Sequence, residues 1–374
     1  MRWMAGASVG VALCIAVLVS ACATNPTTGV GTGGSGSTRS SRAPLANARS
    51  QGASATRPAP KRSSASAAST LPGPVTLPDI PNTVSVGPAG GDLAVALLDS
   101  PQCVVVQHSR VTRTITSCGA ITWVPDSSWV VYATTGVAYP PASPSITGYL
   151  ALNLLSGKSE RLPCTGSVAP ELQGLPGPAV AFDCRGALEI ADLGSGKAPK
   201  RYSSVLLSPQ PGKVLFAVDP TRKEVAVVAP AGTVSIFRLA GDALLPGAFM
   251  AGTPDGMAWS NDGTLLALDS SEGVSVWRPG GIVITDKKAQ EDNVLAWLPD
   301  DAAVLAVSSY QPAVPLAGYR VEPTGAARQI APATPHVERV AWGPDARFYW
   351  YMRTGSSGAP VTPYTLMPAV ASAV

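Results

Sequence analysis

The chain has 374 residues, 45% hydrophobic and only 14% charged, with a net charge of +3, 37 glycines and 36 prolines. Two histidines leave little room for a histidine-based catalytic triad or a histidine-rich metal centre. No long stretch carries a helical period, which argues against helical architectures. The first element in chain order is a charged start, Met1-Arg2-Trp3-Met4, followed by an uncharged apolar run over residues 5–19 and then Val19-Ser20-Ala21-Cys22. A charged start, a short apolar core and small residues before a cut site predict a secretory signal peptide over residues 1–21. The run is short for a membrane span, which needs about 20 apolar residues.

Val19-Ser20-Ala21-Cys22 resembles the lipobox of bacterial lipoproteins. The resemblance implies that Cys22 receives a diacylglyceryl group, becomes the mature N-terminus and anchors the chain to membrane lipid. Ala23 then stands where Asp favours inner-membrane retention in double-membraned bacteria. The expected location is the outer face of the cell membrane, or the outer membrane of a double-membraned cell. Residues 22–72 are rich in Ala, Ser, Thr, Gly and Pro, too poor in apolar surface to offset ordering entropy, and predict a disordered linker. As a flexible coil of about 50 residues it would span about 35–42 Å. Seven of the 27 basic residues, Arg2 and six in the linker, precede the first acid, Asp79; the other 20 face 24 acids. The folded part is therefore near −4, which gives no support for nucleic-acid binding by it.

From residue 73 the apolar pattern becomes runs of five to seven residues broken by Gly, Pro, Asp and Ser, a strand signature. A short motif recurs: Trp123-Val-Pro-Asp, Trp259-Ser-Asn-Asp-Gly, Trp297-Leu-Pro-Asp and Trp342-Gly-Pro-Asp. Aligning the chain on that slot gives Val86, Trp123, Phe182, Val218, Trp259, Trp297 and Trp342, with spacings of 37, 59, 36, 41, 38 and 45. Each unit reads as a strand ending at the slot, a tight turn set by Pro or Asx-Gly, and further strands such as 265–268 and 274–277. Asp126, Asp262, Asp300 and Asp345 read as turn formers. Seven units of about 40 residues and four strands each predict an all-β, seven-bladed β-propeller over residues 73–368, with a tail at 369–374. The slot aromatics are expected to fill the wedges between blades. The last unit lacks an outer strand, so Val75-Thr76-Leu77 or their neighbours are expected to complete it.

Of six cysteines, Cys14 leaves with the signal and Cys22 takes lipid. Cys103, Cys118, Cys164 and Cys184 remain, an even number that predicts two disulfides in an exported chain. Three pairings are possible. Residues 103–107 and 113–118 read as hairpin arms turning near 109–111, which sets Cys103 opposite Cys118 and leaves Cys164 to Cys184. No Cys-x-x-Cys spacing suggests a metal site.

The Trp-x-Pro-Asp turns before apolar strands resemble the repeats of TolB-like propellers and of the propeller domain of the LpqB lipoprotein family. The WD-repeat pattern itself is poorly met: Trp277 precedes Arg278, and the Gly-His pair is absent. The resemblance implies work beside other envelope proteins: a sensor kinase in the LpqB case, lipoprotein and porin complexes in the TolB case.

No Gly-x-Ser-x-Gly elbow, phosphate loop or metal constellation is legible, so no catalytic residue, metal or cofactor is expected. Long connections at 134–146, 308–316, 354–360 and 165–178 would lie on one rim, which makes Tyr139, Tyr310 and Gln311 the candidate binding residues. The expected function is a lipid-anchored, non-catalytic envelope scaffold that binds a protein or a cell-wall polymer. The alternatives are a propeller enzyme, such as a lactone hydrolase or a sugar- or quinone-linked dehydrogenase, and a cell-wall glycan-binding module.

Overall fold

A computed structural model describes residues 71–370 apart from 89, 99, 136–145, 165–170, 204–206, 208–215, 229–231, 242, 251–253, 255, 271–272, 279–280, 285–292, 309–315, 335–336, 344–345 and 354–360. The described residues form no helix, and their 28 strands make seven four-stranded antiparallel sheets. After β1 (Val75–Thr76), blade 1 holds β2 (Pro81–Val86), β3 (Leu93–Leu97), β4 (Gln102–Gln107) and β5 (Arg110–Thr116). Blade 2 holds β6 (Cys118–Trp123), β7 (Trp129–Thr135), β8 (Ile146–Asn153) and β9 (Ser159–Leu162). Blade 3 holds β10 (Leu172–Leu175), β11 (Ala179–Cys184), β12 (Ala187–Asp192) and β13 (Lys200–Tyr202). Blade 4 holds β14 (Phe216–Val218), β15 (Glu224–Val228), β16 (Val234–Ala240) and β17 (Ala243–Met250). Blade 5 holds β18 (Gly256–Trp259), β19 (Leu266–Ser270), β20 (Gly273–Arg278) and β21 (Gly281–Ile284). Blade 6 holds β22 (Asn293–Trp297), β23 (Val304–Ser308), β24 (Leu316–Val321) and β25 (Ala327–Thr334). Blade 7 holds β26 (Val337–Trp342), β27 (Phe348–Arg353) and β28 (Thr365–Val370), with β1 as its outermost strand.

The ring is thus closed by both ends of the folded chain, as the missing outer strand predicted. Val75 pairs with Leu366 and Thr76 with Thr365, and the Leu77 N–H donates to the Tyr364 carbonyl at 2.7 Å. Val75 and Leu77 are buried against Leu93, Leu97 and Leu366.

The slot motif is the turn that joins the first two strands of a blade. In six blades the N–H after the slot residue donates to the carbonyl five positions on, as from Gly87 to Asp92 and from Leu298 to Ala303, at 2.7–3.0 Å. Within these turns Asp126, Arg222, Gly263, Asp301 and Ala346 take positive φ, the strained corner for which Asx and Gly are the least costly choices. Asp262 accepts from the Thr264 N–H at 2.9 Å, the Ser260 hydroxyl at 2.8 Å and the Thr264 hydroxyl at 2.8 Å, and these donors hold its carboxyl below its usual value. Asp300 accepts from the Ala302 N–H at 3.1 Å, again as a turn former. Asp345 lies outside the described residues.

Blade 3 departs from the expected alignment. Phe182 belongs to the second strand, β11, and the slot is filled by Leu175 at the end of β10. The spacings there become 52 and 43. Leu172-Gln-Gly-Leu175 is short, half polar or Gly, and ends without an aromatic. The stronger apolar run 179–184 therefore drew the alignment one strand too far. The expected loop at 165–178 is overturned for the same reason, because it contains β10 and the β10–β11 turn.

The apolar cores lie between blades. Seven clusters of buried residues form among the described residues, one at each junction of adjacent blades. The slot tryptophans sit in these wedges. The indole N–H of Trp259 donates to the Ala217 carbonyl of blade 4 at 2.8 Å, and that of Trp297 to the Ala258 carbonyl of blade 5 at 2.9 Å. These two indoles thus supply apolar area to the wedge and satisfy their one polar atom across the junction, whereas that of Trp123 donates to the Ser127 carbonyl of its own turn at 3.0 Å.

Candidate functional site

The connections from second to third strand and from one blade to the next leave the strands at the same end, because successive strands alternate in direction. Both disulfides lie at that rim, and both cross a blade junction. Cys103, near the start of β4 in blade 1, bonds Cys118, the first residue of blade 2, with Cα atoms 5.5 Å apart. Cys164, just past β9 in blade 2, bonds Cys184, the last residue of β11 in blade 3, with Cα atoms 5.7 Å apart. The expected pairing holds, but the hairpin reasoning behind the first bond does not. The hairpin turns at His108 and Ser109, both at positive φ, and its register sets Cys103 opposite Ile115. Cys118 lies beyond the hairpin, so the bond staples two sheets instead of two arms of one sheet.

A cavity of about 410 Å³ opens beside the second bond, lined by Arg161, Pro163, Cys164, Cys184, Arg185 and Arg201. A second, of about 370 Å³, adjoins it along residues 158–163 and 196–199. Arg201 donates to the Glu189 carboxylate at 2.8 Å. Burial raises the Glu189 carboxyl above its usual value, and Arg201 works against that rise. A buried carboxylate is tolerated here because a guanidinium is held beside it.

A smaller cleft, about 190 Å³, borders the inner strands of blades 3, 4 and 5 and is lined by Glu171, Gln173, Phe216, Met257 and Trp259 among others. Gln173 is locked: its side chain donates to the Val218 carbonyl at 2.9 Å and accepts the Val218 N–H at 2.7 Å, joining blade 3 to blade 4. Burial first, and the nearby Asp183 charge second, raise the Glu171 carboxyl to about 7. A carboxyl so poised is half protonated near neutrality and can exchange a proton there.

Of the residues singled out from sequence, the four cysteines are brought together as two bonds. Cys22, Tyr139, Tyr310 and Gln311 lie outside the described residues. Sequence reasoning passed over Arg161, Arg185, Arg201 and Glu171. One signal was available: residues 193–218 hold four basic residues, Lys197, Lys200, Arg201 and Lys213, and no acid. Among the described residues, no group of three or more His, Cys, Asp or Glu gathers as a metal-binding set.

Blade number, closure and wedge chemistry define the class: a seven-bladed β-propeller of four-stranded blades. No protein-family model matches the chain, and no curated relative was found. Solved structures share the fold. Kuenenia stuttgartiensis hydrazine synthase matches with a TM-score of 0.55 at 12% identity, over 81% of this chain and 96% of that one. The β-propeller domain of Cps50 (Swd1) from Myceliophteria thermophila matches with a TM-score of 0.54 at 13% identity, over 78% and 97%. A chain of the mitotic checkpoint complex matches with a TM-score of 0.58 at 14% identity, over 87% and 99%. At these identities the likeness is one of fold. The two disulfides suit an oxidising compartment outside the cytoplasm.

Proposed function

We propose that this chain is an exported, lipid-anchored envelope scaffold that holds a partner protein on its disulfide-stapled rim. The observation that carries the reading is the placement of both disulfides at the rim where the long connections begin and end. Loops that bind need a fixed base, and cross-links between blades 1, 2 and 3 supply one. The signal-like start and Val19-Ser20-Ala21-Cys22 support export and acylation at Cys22. Two or three acyl chains give stable membrane attachment where one gives only marginal binding. The TolB-like and LpqB-like turn motifs support an envelope protein as partner, and the mitotic checkpoint complex offers a case of this fold inside a protein assembly. Cell-wall glycan is the competing ligand.

Crosslinking in cells, followed by identification of the captured proteins, tests the reading. A reproducible envelope partner is expected, with capture weakened when Tyr139 and Tyr310 are both replaced by Ala. Pull-down on purified cell wall with no protein partner captured would transfer the reading to glycan binding. Fatty-acid labelling checks the anchor: the label is expected on the wild type and absent from Cys22→Ser.

An enzyme reading is favoured by one observation, the near-neutral Glu171 in the inner cleft. Calcium or zinc found stoichiometrically in the purified domain would move the balance toward it.

A further inference from the structure

The two cavities beside the Cys164–Cys184 bond share Arg161 and Pro163 and form one trough between blades 2 and 3. Six consecutive residues, 158–163, line the second cavity. A strand that presents one face to a space lines it with every other residue; consecutive residues mean that its edge borders the space. That edge is β9, the last strand of its sheet, which pairs with β8 on one side only. The outward N–H and C=O groups of such an edge are a template for another extended chain.

The trough is also basic. Lys158, Arg161, Arg185, Lys197 and Arg201 line it, together with one acid, Glu160, which accepts the Gly194 N–H at 2.8 Å. Glu189 offsets Arg201, while Asp192 takes Arg222 at 2.6 Å and the buried Asp183 accepts the Gly186 N–H at 2.8 Å, so cations remain in excess along the trough. Residues 161–170 and 193–218 contain no Asp or Glu, so the neighbouring stretches outside the described residues bring no acid. This basic surface stands on a folded part whose net charge is near −4. Arg201 spends one donor on Glu189, and a guanidinium carries five.

We propose that the trough binds an extended acidic peptide segment of the partner protein, its main chain laid along β9 and its carboxylates held by Arg161 and Lys197. The inference rests on the scaffold reading above and names the partner's chemistry. A peptide is favoured over a phosphate polymer because only a peptide uses the unpaired main chain of β9 as well as the cations.

The test uses the purified, disulfide-intact protein and a fluorescent eight-residue peptide of alternating Glu and Thr. Binding read by anisotropy is expected, weakening with added salt, and absent for the Gln-for-Glu peptide. Arg161→Glu with Lys197→Glu is expected to weaken binding about tenfold or more. The same loss is expected, more mildly, for Arg161→Gln. Arg110→Glu, on the outer strand of blade 1, is expected to leave binding unchanged. Melting temperatures of all variants check the fold. Equal binding by the charge-reversed protein, or polyphosphate of matched charge binding as tightly as the peptide, would overturn the proposal. In cells, a partner still captured by the charge-reversed protein refutes the trough and leaves the scaffold reading standing. No partner captured by the wild type refutes the scaffold reading itself.

Discussion

Gly174 of blade 3 lies so close to Trp123 of blade 2 that a Cβ at position 174 would sit 2.3 Å from the Trp123 carbonyl oxygen. The same Cβ would lie 2.8 Å from Pro125 Cδ and 3.0 Å from Val124 Cα. Two of these three atoms are backbone, so no side chain can swing away. The Pro of the repeat motif thus has a packing role beyond its own turn: it forms the wall on which the next blade's inner strand rests.

Gly174→Ala is therefore expected to destabilise the domain by about 1–3 kcal/mol, the usual cost of overpacking. Urea unfolding read by tryptophan fluorescence checks this. An unchanged midpoint would mean that β10 can shift away from blade 2.

Ring closure depends on a strand contributed from the start of the folded chain. Val75 and Leu77 are 1% and 4% exposed, and burying each contributes about 1.5–3 kcal/mol. Deleting residues 73–82 also removes the start of β2 and is expected to lower the melting temperature by about 10 °C or more. A narrower change, Val75→Asp, isolates closure from the loss of β2. It is expected to shift the melting point in the same direction, and unchanged melting in both would count against closure by β1.

The disulfides join loops of 15 and 20 residues, each worth about 3 kcal/mol by chain entropy. Replacing Cys164 and Cys184 together by Ala is expected to lower stability by about that amount. It should also raise hydrogen exchange at the junction of blades 2 and 3 more than at that of blades 5 and 6. Calorimetry with and without reductant measures the sum of the two bonds. Equal exchange at both junctions would show that the bond acts on the unfolded chain alone.

Glu171 gives a pH signature. Its folded carboxyl titrates at about 7, above the ordinary value of 4.5, so the folded state holds the proton more tightly than the unfolded state. Below pH 4.5 the group is protonated in both states and costs nothing. As pH rises through 4.5 to 7, the unfolded state releases the proton first, and stability falls. The loss is about 3 kcal/mol at most and is complete above pH 7. Glu171→Gln is expected to flatten this part of the stability profile, measured by urea unfolding between pH 4.5 and 8. A profile identical to that of the wild type would assign the slope to other groups.

Much of the fold was legible because the repeat is local. Trp123, Trp259, Trp297 and Trp342 mark wedges and turns whose chemistry depends on five or six neighbouring residues. Val75 was legible by arithmetic, since a last unit of three strands needs a fourth. Leu175 was not legible, because its wedge position is set by neighbouring blades and its own four-residue strand carries little pattern. The candidate site was less legible still. Arg161 and Arg201 are 40 positions apart in the chain, and neither belongs to a motif.

The sequence alone determined the number of blades and the strand that closes the ring, because both follow from short-range periodicity and counting. It named the right cysteine pairs, but for Cys103 and Cys118 on a hairpin register that the structure overturns. Only the tertiary structure decided what the cysteines join. Read along the chain, Cys103 and Cys118 look like partners within one hairpin; in space they clamp two sheets. It also decided that Arg161, Arg185 and Arg201 share a trough and that Glu171 is raised to about 7. Charge and burial act through distance and dielectric, and in a ring of separate sheets both are fixed by the junctions between blades.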